Sequence, residues 1–359
     1  MQVLDLLKEA AVKKASDVHL VPGMAPLFRI DGQLTPVANY PRLSAEQIQQ
    51  FVLPLLNERQ RAQLSSEFCV DFSLESSEFR YRGNTLFQRT GLEAIFRLIP
   101  EHIPTPEDIQ LPPVISELAN LRSGMVLVTG PTGSGKSTTL ACIINLINER
   151  RRGNIITIED PIEFVHNNKN CVVSQREIGI HAPAFGPALR FVMRQDPDVV
   201  MVGEMRDLET ISAAITVAET GHLVFGTLHA ADASQAVDRM IDVFPGRQQQ
   251  QIRTQLAGVL RAVIAQTLMP RARGRGRVAV REIMLVNPAI STLIRTSRTH
   301  EINSAIEMGT REGMVTIKRA LADLASKGLI DLKDYQAGPL TPQQQKSRMT
   351  DFSGPAAAA

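Results

Sequence analysis

Short apolar runs alternate with helix-spaced apolar positions through the second half of the chain. The runs are nearly continuous and rich in β-branched residues, and they occupy Met125–Thr129, Ile155–Ile158, Asp198–Val202 and Leu223–Thr227. Such runs predict parallel strands that are covered on both faces. Helical patterns separate the runs over Thr138–Asn148, Ala188–Arg194 and Leu208–Glu219. This alternation predicts an α/β core over residues 114–335.

A longer apolar stripe follows this alternation. Its members recur at helical spacing, at Ile252, Leu256, Val259, Leu260, Val263, Ile264 and Leu268. The stripe predicts one long amphipathic helix. A basic stretch over Arg271–Arg277 predicts a mobile loop, Val278–Leu285 a strand, and the chain to about Leu332 further helix. The last residues, 336–359, are rich in Pro, Gln, Ser and Ala and are predicted to be disordered.

The first hundred residues mix the two patterns. An amphipathic pattern over Met1–Ala10 predicts a helix, and Ser44 is a predicted N-cap for a helix that runs through Leu55. The predicted strands are Asp17–Val21, Pro26–Ile30, Phe79–Arg82 and Leu92–Leu98, with a hairpin turn at Asp31-Gly32. Residues 1–100 are therefore predicted to form a small α+β domain. The proline-rich residues 101–113 predict a semi-rigid linker.

Composition excludes several classes of protein. Lys and Arg number 39 against 37 for Asp and Glu, so the charge balance gives no general signature of nucleic-acid binding. Cys69, Cys142 and Cys171 lie far apart without metal-ligand spacing, which is typical of reduced thiols in a cytoplasmic protein. The first residues lack the charged start and apolar core of a signal peptide. No apolar run approaches the roughly 20 residues that span a bilayer, so we expect a soluble protein.

The strongest chemical signal is a glycine-rich loop between a predicted strand and a predicted helix. Residues 130–139 read GPTGSGKSTT and match G-x-x-x-x-G-K-[ST] at every fixed position. The glycines let backbone N–H groups turn toward phosphate oxygens, and the helix start adds a favourable dipole. Lys136 can reach the β- and γ-phosphates, and the Ser137 hydroxyl can ligate Mg²⁺. The candidate nucleotide-binding residues are Gly130, Pro131, Thr132, Gly133, Ser134, Gly135, Lys136, Ser137 and Thr138.

Two predicted strands end in carboxylates, at the edge where an open α/β sheet binds its ligands. After the first strand, Glu163 can orient or deprotonate an attacking water, and Glu159 and Asp160 can hold Mg²⁺ through water. The second strand ends in Gly203-Glu204 where P-loop enzymes usually have Asp, so Glu204 is the candidate carboxylate beside the metal. A solvated acidic turn explains the first stretch equally well when it is taken alone. Two strands that end in the same way favour a metal site.

Two histidines bracket the predicted strand over Leu223–Thr227. A single histidine at a strand end is more often a structural group. His222 and His229 together, with Thr227 at the end of the strand, indicate sensing of a γ-phosphate. A zinc site is less favoured, because no cysteine or further histidine is near in sequence.

Arginines in both halves of the chain are candidates to bind a γ-phosphate. Arg190 and Arg194 lie four residues apart on one predicted helix, and Arg82 and Arg97 lie on two predicted strands of the N-terminal domain. Most surface arginines interact only with solvent. A guanidinium from a neighbouring domain or subunit can nevertheless bind a phosphate through two hydrogen bonds.

Four collinear motifs together resemble the secretion ATPase family, most closely the PilT-type retraction ATPases of type IV pili, which drive twitching motility. Residues 130–139 resemble its Walker A motif, and residues 157–166 (TIEDPIEFVH) its Asp box. Residues 203–207 (GEMRD) resemble its atypical Walker B motif, and residues 218–229 (AETGHLVFGTLH) its His box. The similarity runs from about residue 1 to residue 335.

The resemblance implies a fold and a set of ligands. The fold is α/β, with a RecA-like P-loop ATPase core over residues 114–335 and a smaller α+β, PAS-like N-terminal domain over residues 1–100. ATP and Mg²⁺ are the implied ligands, and six identical subunits form the implied ring. ATP lies between the two domains of a subunit, and its hydrolysis moves them as rigid blocks. The implied partner is a PilC-like platform protein, with the ring docked at the cytoplasmic face of the inner membrane.

The resemblance also implies roles for individual residues. It assigns Glu163 as the catalytic glutamate and Glu204 as the Walker B glutamate near Mg²⁺. His222 and His229 lie on the γ-phosphate side. The implied phosphate-binding arginines are Arg82 and Arg97 of the N-terminal domain and Arg190 and Arg194 of the core.

One stretch departs from the retraction pattern. PilT-type proteins carry a C-terminal stretch close to AIRNLIRE, whereas residues 289–296 here read AISTLIRT, with three polar positions changed. The chain also lacks the four-cysteine zinc insertion and the extra N-terminal domain common in extension and type II secretion ATPases. Their absence favours the retraction branch, including its accessory PilU-like members.

The expected function is therefore a hexameric motor ATPase that powers pilus retraction. The alternatives are an accessory nucleotide-binding subunit that joins the ring of a paralogous ATPase, and another secretion-type or pilus-extension ATPase. A RecA-like DNA helicase is a third alternative. The near-neutral charge and the scarcity of aromatic residues for base stacking disfavour it, so no nucleic-acid partner is expected.

Overall fold

The computed structural model describes residues 3–30, 33–75, 79–99, 102–273 and 276–331. These residues divide into two compact units, the first ending at Ile99 and the second beginning at His102. Within the described residues, no helix is both long enough and apolar enough to cross a membrane.

The first unit is a six-stranded antiparallel sheet with three helices. The helices are α1 (Val3–Val12), α2 (Ala45–Val52) and α3 (Glu58–Glu67), and the strands are β1 (Asp17–Leu20), β2 (Leu27–Ile30), β3 (Gln33–Pro36), β4 (Cys69–Glu75), β5 (Arg80–Gln88) and β6 (Gly91–Ile99). The strand order among the described residues is β3-β2-β1-β6-β5-β4. Alternate residues of β5 and β6 are buried, and Leu6, Leu20, Ile48 and Phe96 lie at the centre of the core.

Several predictions for this unit are confirmed. The amphipathic pattern at the start of the chain forms α1. Ser44 caps α2, since its Oγ accepts from the N–H of Gln47 (3.2 Å) and its own N–H donates to Gln47 Oε1 (2.8 Å). Helix α3 and strands β3 and β4 had no sequence prediction. The predicted hairpin turn at Asp31-Gly32 lies outside the described residues.

The second unit has an α/β pattern. Its helices are α4 (Pro113–Glu117), α5 (Lys136–Arg150), α6 (Phe185–Val192), α7 (Leu208–Glu219), α8 (Ala233–Asp242), α9 (Gly246–Val259), α10 (Pro288–Arg295), α11 (Ile302–Met308) and α12 (Ile317–Ser326). Its strands are β7 (Gly124–Thr129), β8 (Asn154–Glu159), β9 (Val172–Glu177), β10 (Val199–Val202), β11 (Leu223–Leu228), β12 (Leu260–Pro270) and β13 (Arg277–Leu285).

These strands form a seven-stranded sheet within the described residues, in the order β13-β12-β7-β11-β10-β8-β9. All neighbouring strands run parallel except the antiparallel edge pair β12–β13. Apolar side chains cover both faces: Val126 and Val128 pack with the cluster that contains Ile143 of α5, and Leu127 packs with the cluster that contains Ile211 of α7. The carboxyl ends of β7, β8, β10 and β11 therefore share one edge of the sheet, as the continuous apolar runs predict.

The long amphipathic helix predicted over residues 252–268 is wrong in its second half. Helix α9 ends at Val259, and β12 continues from Leu260 as a central strand beside β7. Residues 262–265 are all buried, because a strand in this position is covered on both faces. A run in which nearly every position is apolar satisfies helical spacing as well as strand spacing, so periodicity could not separate the two.

The regions on either side of the core also differ from expectation in detail. Residues 105–111, within the predicted linker, pack on the second unit, where Ile109 and Leu111 join the apolar cluster of α5. The basic stretch over Arg271–Arg277 connects β12 to β13, with Gly274 and Arg275 outside the described residues. The predicted tail over residues 336–359 also lies outside them.

Candidate active site

The glycine-rich loop turns from β7 into α5 at the shared edge of the sheet. Gly130, Gly133 and Gly135 have φ angles of 146°, 78° and 84°, which residues with side chains rarely adopt. At Gly130, a Cβ would lie 2.2 Å from the carbonyl oxygen of Gln266, so the close approach of β12 admits only glycine. Nothing lies within 4 Å of a Cβ built at Gly133, so this turn faces open space. The loop thus offers backbone rather than side chains to a ligand.

Lys136 begins α5 and reaches back along the loop. Its Nζ donates to the carbonyl oxygens of Gly130 (2.9 Å) and Pro131 (3.1 Å). Burial lowers the pKa of Lys136, while the negative charges of Glu204 and Glu163 oppose this shift. Both carboxylates therefore lie within electrostatic reach of the ammonium group. A phosphate in the loop would offer this ammonium a charged partner in place of two neutral carbonyls.

The rest of the loop is also suited to an anion. Ser137 and Thr138 are half-buried in the first turn of α5, where backbone N–H groups have no intrahelical acceptor. Pro131 and Thr132 are exposed on the outer side. Ser134 is buried, and its Oγ has no hydrogen-bond partner within the described part of the chain. This hydroxyl retains the capacity to bond a ligand oxygen.

Gln266 of β12 supports the loop from behind, a contact that the sequence did not reveal. Its Nε2 donates to the carbonyl oxygen of Ser134 (2.6 Å), and its Oε1 accepts from the Thr139 hydroxyl (2.9 Å). Only 3% of Gln266 is exposed. A single amide of β12 therefore bonds both the loop and the first turn of α5, which lie 132 and 127 residues away from it in sequence.

The Walker B and His-box residues meet at the same edge. Glu204 follows β10, and its Oε1 accepts from His229 Nε2 (2.9 Å) and from the guanidinium of Arg206. Burial, followed by the charge of Lys136, lowers the pKa of His229, and Glu204 opposes the shift. The Thr227 hydroxyl donates to the carbonyl oxygen before Glu204, which ties β11 to β10. The structure thus brings together the predicted Lys136, Glu204 and His229, and adds Arg206.

The carboxylate that ends β8 and the two that follow it have different environments. Glu159 is buried and accepts hydrogen bonds from Thr157 (2.6 Å) and Gln175 (3.1 Å). Burial raises its pKa, so Glu159 is a structural group inside the fold rather than an exposed metal ligand. Asp160 and Glu163 are exposed, and the peptide bond from Asp160 to Pro161 is cis. Of the predicted carboxylates in this stretch, Asp160 and Glu163 are the exposed ones.

His222 does not lie at the nucleotide edge of its own chain. It precedes β11, and His229 follows it, so the two histidines are separated by the length of a buried strand. Seven positions at about 3.3 Å each place them roughly 20 Å apart. The His222 Nδ1 lies 3.0 Å from the Thr220 hydroxyl and 3.1 Å from the Val217 carbonyl oxygen. Within one chain, the expectation that both histidines face one γ-phosphate is therefore wrong.

The predicted arginines are not gathered at the loop within the second unit. Arg190 of α6 pairs with Glu209 in the first turn of α7. Arg194 is exposed beyond the end of α6, where the neighbouring Met193 accepts from Thr220 (3.8 Å).

In the first unit, Arg82 and Arg97 lie directly opposite each other on β5 and β6. Arg97 donates to the buried Asp17 (2.8 Å), and Arg82 lies 3.7 Å from Asp71. The role implied for these two arginines stays a prediction.

A pocket of about 150 Å³ adjoins the loop. Gly135 and Thr138 form one wall, and Leu268, Arg271 and Arg277 form part of the others.

Arg281 lines the same pocket, and only 6% of its surface is exposed. It donates to the carbonyl oxygens of Ile109 and Gln110, both at 3.1 Å. Burial lowers the pKa of Arg281 to about 10. Arg281 belongs to no sequence motif, because its partners lie in a segment far away in sequence.

The residues at this edge fit a nucleoside triphosphate with Mg²⁺. The loop offers N–H groups and an ammonium to phosphate oxygens. The Ser137 hydroxyl and the Glu204 carboxylate are the hard oxygen donors that Mg²⁺ prefers. Glu163 is an exposed carboxylate within electrostatic reach of Lys136, and a carboxylate can act as a general base for water.

Comparison with known proteins places this geometry in context. Residues 2–336 match the family described as type II/IV secretion system protein. The type IV pilus retraction ATPase PilT of Pseudomonas aeruginosa is 43% identical over 96% of this chain and 99% of its own length. The type IV pilus ATPase PilU of that organism is 38% identical over 94% of this chain and 88% of its own length. The crystal structure of the pilus retraction motor PilT with bound ADP matches with a TM-score of 0.88 at 42% identity, covering 96% of this chain and 98% of that one.

These matches extend over both units of the chain. The fold class expected from the sequence, a RecA-like P-loop core with a smaller N-terminal domain, is confirmed by the structural match.

Proposed function

Because the chain belongs to the type II/IV secretion system protein family, we propose that it is an ATPase whose hydrolysis of ATP powers the retraction of type IV pili. The observation that carries the chemistry is the meeting of Lys136, Glu204 and His229 at the carboxyl ends of three parallel strands. The similarity to a retraction ATPase supports the direction of the motor, and it is greater than the similarity to PilU.

Each side chain has a part in the hydrolysis that we propose. The backbone of residues 130–138 and the Lys136 ammonium hold the β- and γ-phosphates. Glu163 accepts a proton from water as the water oxygen attacks the γ-phosphorus and the bond to the leaving ADP oxygen breaks. His229 and Arg206 hold the Glu204 carboxylate at the same edge. Mg²⁺, held by Ser137 and Glu204, supplies charge neutralisation at the phosphates.

The pocket behind the loop is the proposed location of the base and ribose. It adjoins Gly135 and Thr138, and its apolar wall includes Leu268. The Arg281 guanidinium bonds to two carbonyl oxygens of the segment over residues 105–111 and so holds this segment against the pocket. A base bound there would touch both the phosphate loop and the segment that leads toward the first unit.

A ring accounts for the residues that do not reach the loop. Arg194 and His222 lie away from the phosphate edge, close to the start of β11. We propose that these two residues, with Arg190, act on a nucleotide held by a neighbouring subunit of a homohexamer. Arg82 and Arg97 are proposed to bind the γ-phosphate from the first unit. The ring would dock on a PilC-like platform protein at the cytoplasmic face of the inner membrane.

The enzymatic part is tested with purified protein. We expect Mg²⁺-dependent release of phosphate from ATP, abolished by Lys136→Ala and by Glu204→Ala. Lys169→Ala is a matched control, since Lys169 is an exposed lysine paired with Glu149 (2.6 Å). Full turnover in either site variant would refute the assignment.

The direction of the motor is tested in the native cell. Deletion of the gene should leave excess surface pili and abolish surface motility. Cells without pili would instead identify an extension ATPase.

An accessory role is the second candidate, favoured by the similarity to PilU and by the altered residues 289–296. It predicts a purified protein without ATPase activity that gains activity only when mixed with a paralogous ATPase.

A further inference from the structure

Strand β9 carries two polar side chains toward the loop of Glu163. β9 pairs in parallel with β8, so that Gln175 lies opposite Thr157 and Glu177 lies opposite Glu159. Gln175 and Glu177 are two residues apart and therefore share a face of the strand. Neither residue belongs to a motif that the proposed function uses.

Gln175 makes three hydrogen bonds to this loop and its base. Its Oε1 accepts from the N–H of His166 (2.7 Å). Its Nε2 donates to the carbonyl oxygen of Phe164 (2.8 Å) and to Oε1 of the buried Glu159 (3.1 Å). Both ends of the amide are therefore engaged.

The backbone bonds from β9 lie on both sides of Glu163. Glu177 accepts from the N–H of Ile162 (3.2 Å), so β9 side chains hold the backbone at residues 162, 164 and 166. Glu163 lies between two of these anchored residues and is exposed. The loop is held by its backbone, while the Glu163 side chain is exposed to solvent.

We propose that Gln175 is a positioning residue for Glu163, which holds the loop so that the carboxylate meets the attacking water. The inference rests on the proposed function, because it needs Glu163 to be the base. A catalytic group that is displaced by about 1 Å can lose roughly a hundredfold in rate, so the backbone anchors that Gln175 makes one and three residues beyond Glu163 have a large effect.

The pattern of bonds requires an amide. Leucine at position 175 would remove every bond of the side chain. Glutamate would keep the acceptor for His166 but would direct a second acceptor at the Phe164 carbonyl and the Glu159 carboxylate. Both substitutions should therefore release the backbone at residues 164 and 166, although the side chains are similar in size.

The test is a double-mutant cycle on ATP hydrolysis with the full-length protein. Gln175→Leu should lower kcat about tenfold to a hundredfold and leave KM within about twofold, since the phosphate loop is untouched. In a Glu163→Gln background, measured by single turnover, Gln175→Leu should change the rate by less than about twofold. Ser174→Ala, at an exposed neighbour on the same strand, is the matched control.

Hydrogen exchange supplies a readout that does not depend on turnover. The His166 amide should exchange faster in Gln175→Leu and in Gln175→Met, while peptides of residues 130–138 keep their protection. Unchanged exchange at His166 would overturn the proposal, as would equal losses of rate in both backgrounds or an unaltered kcat. Full turnover in Glu163→Gln would show that Glu163 is not the base and would refute the proposed function. A loss of rate from Gln175→Leu that is equally large in both backgrounds would refute only the positioning role.

Discussion

Gln266→Leu is the substitution that most directly tests whether the phosphate loop depends on β12. The leucine side chain fills a similar volume but cannot donate to the Ser134 carbonyl or accept from the Thr139 hydroxyl. Both partners are buried, so water cannot replace the lost bonds without opening the structure. The loop should therefore lose the conformation that binds phosphate.

The size of the effect follows from which partner remains unpaired. A buried polar group without a partner costs about 1–3 kcal/mol. The Thr139 hydroxyl can bond instead to the Gly135 carbonyl four residues earlier in the chain, so only the Ser134 carbonyl contributes in full. We therefore expect the substitution to cost about 2 kcal/mol. If this cost falls on the phosphate-binding conformation of the loop, the nucleotide affinity should be roughly thirtyfold weaker.

Calorimetric titration with ADP measures this affinity, and a thermal melt reports the accompanying loss of stability. Gln266→Glu should bind more weakly than Gln266→Leu, since it directs a carboxylate oxygen at the Ser134 carbonyl. Gln235→Leu, at an exposed glutamine bonded to Asp232, should bind normally. Binding by Gln266→Leu within about twofold of the parent, with an unchanged melting temperature, would refute this reasoning.

Three further outcomes are expected. Gly130→Ala should abolish ADP binding in the same titration, because its Cβ would lie 2.2 Å from the β12 carbonyl, whereas Gly246→Ala, with nothing within 4 Å, should bind normally. Burial lowers the pKa of His166 from 6.5 to about 4, so between pH 6.5 and pH 4 this histidine is protonated in the unfolded chain but neutral in the folded protein. Stability should therefore fall by up to about 3 kcal/mol as the pH drops from 6.5 to 4, and thermal melts of His166→Asn should show a smaller fall. Arg281→Met should speed proteolysis within residues 105–111 while circular dichroism stays unchanged, since both bonds to that segment are lost.

The sequence predicted the parts of the fold in which local pattern and tertiary environment agree. The apolar runs of β7, β8, β10 and β11 are buried on both faces, so composition alone identifies them. Helix α7 matches its predicted bounds, because Asp207 caps its start and Gly221 follows its end. The phosphate loop was predicted for a related reason, since its conformation depends on glycines that stand together in sequence.

The residues that support the site could not be predicted in this way. Gln266 contacts a loop more than a hundred residues away, and both hydrogen bonds of Arg281 reach a segment more than a hundred and seventy residues away. Neither lies in a local motif, and a single glutamine or arginine in an apolar strand carries no signal of its partner. Because a helix was predicted across Leu260, the prediction did not contain the strand on which Gln266 lies.

The placement of His222 is different, because the sequence held enough information to correct it. The apolar residues between His222 and His229 were recognised as a buried strand, and a strand of that length separates its flanking residues by roughly 20 Å. Only the carboxyl ends of parallel strands meet the phosphate loop, so His229 could face a nucleotide of its own chain and His222 could not. If His222 contributes to hydrolysis, it must do so across a subunit boundary. If the subunits form the proposed ring, a mixture of His222→Ala and Lys136→Ala proteins should recover part of the activity that each lacks alone, since mixed rings would contain interfaces with an intact Lys136 on one side and an intact His222 on the other.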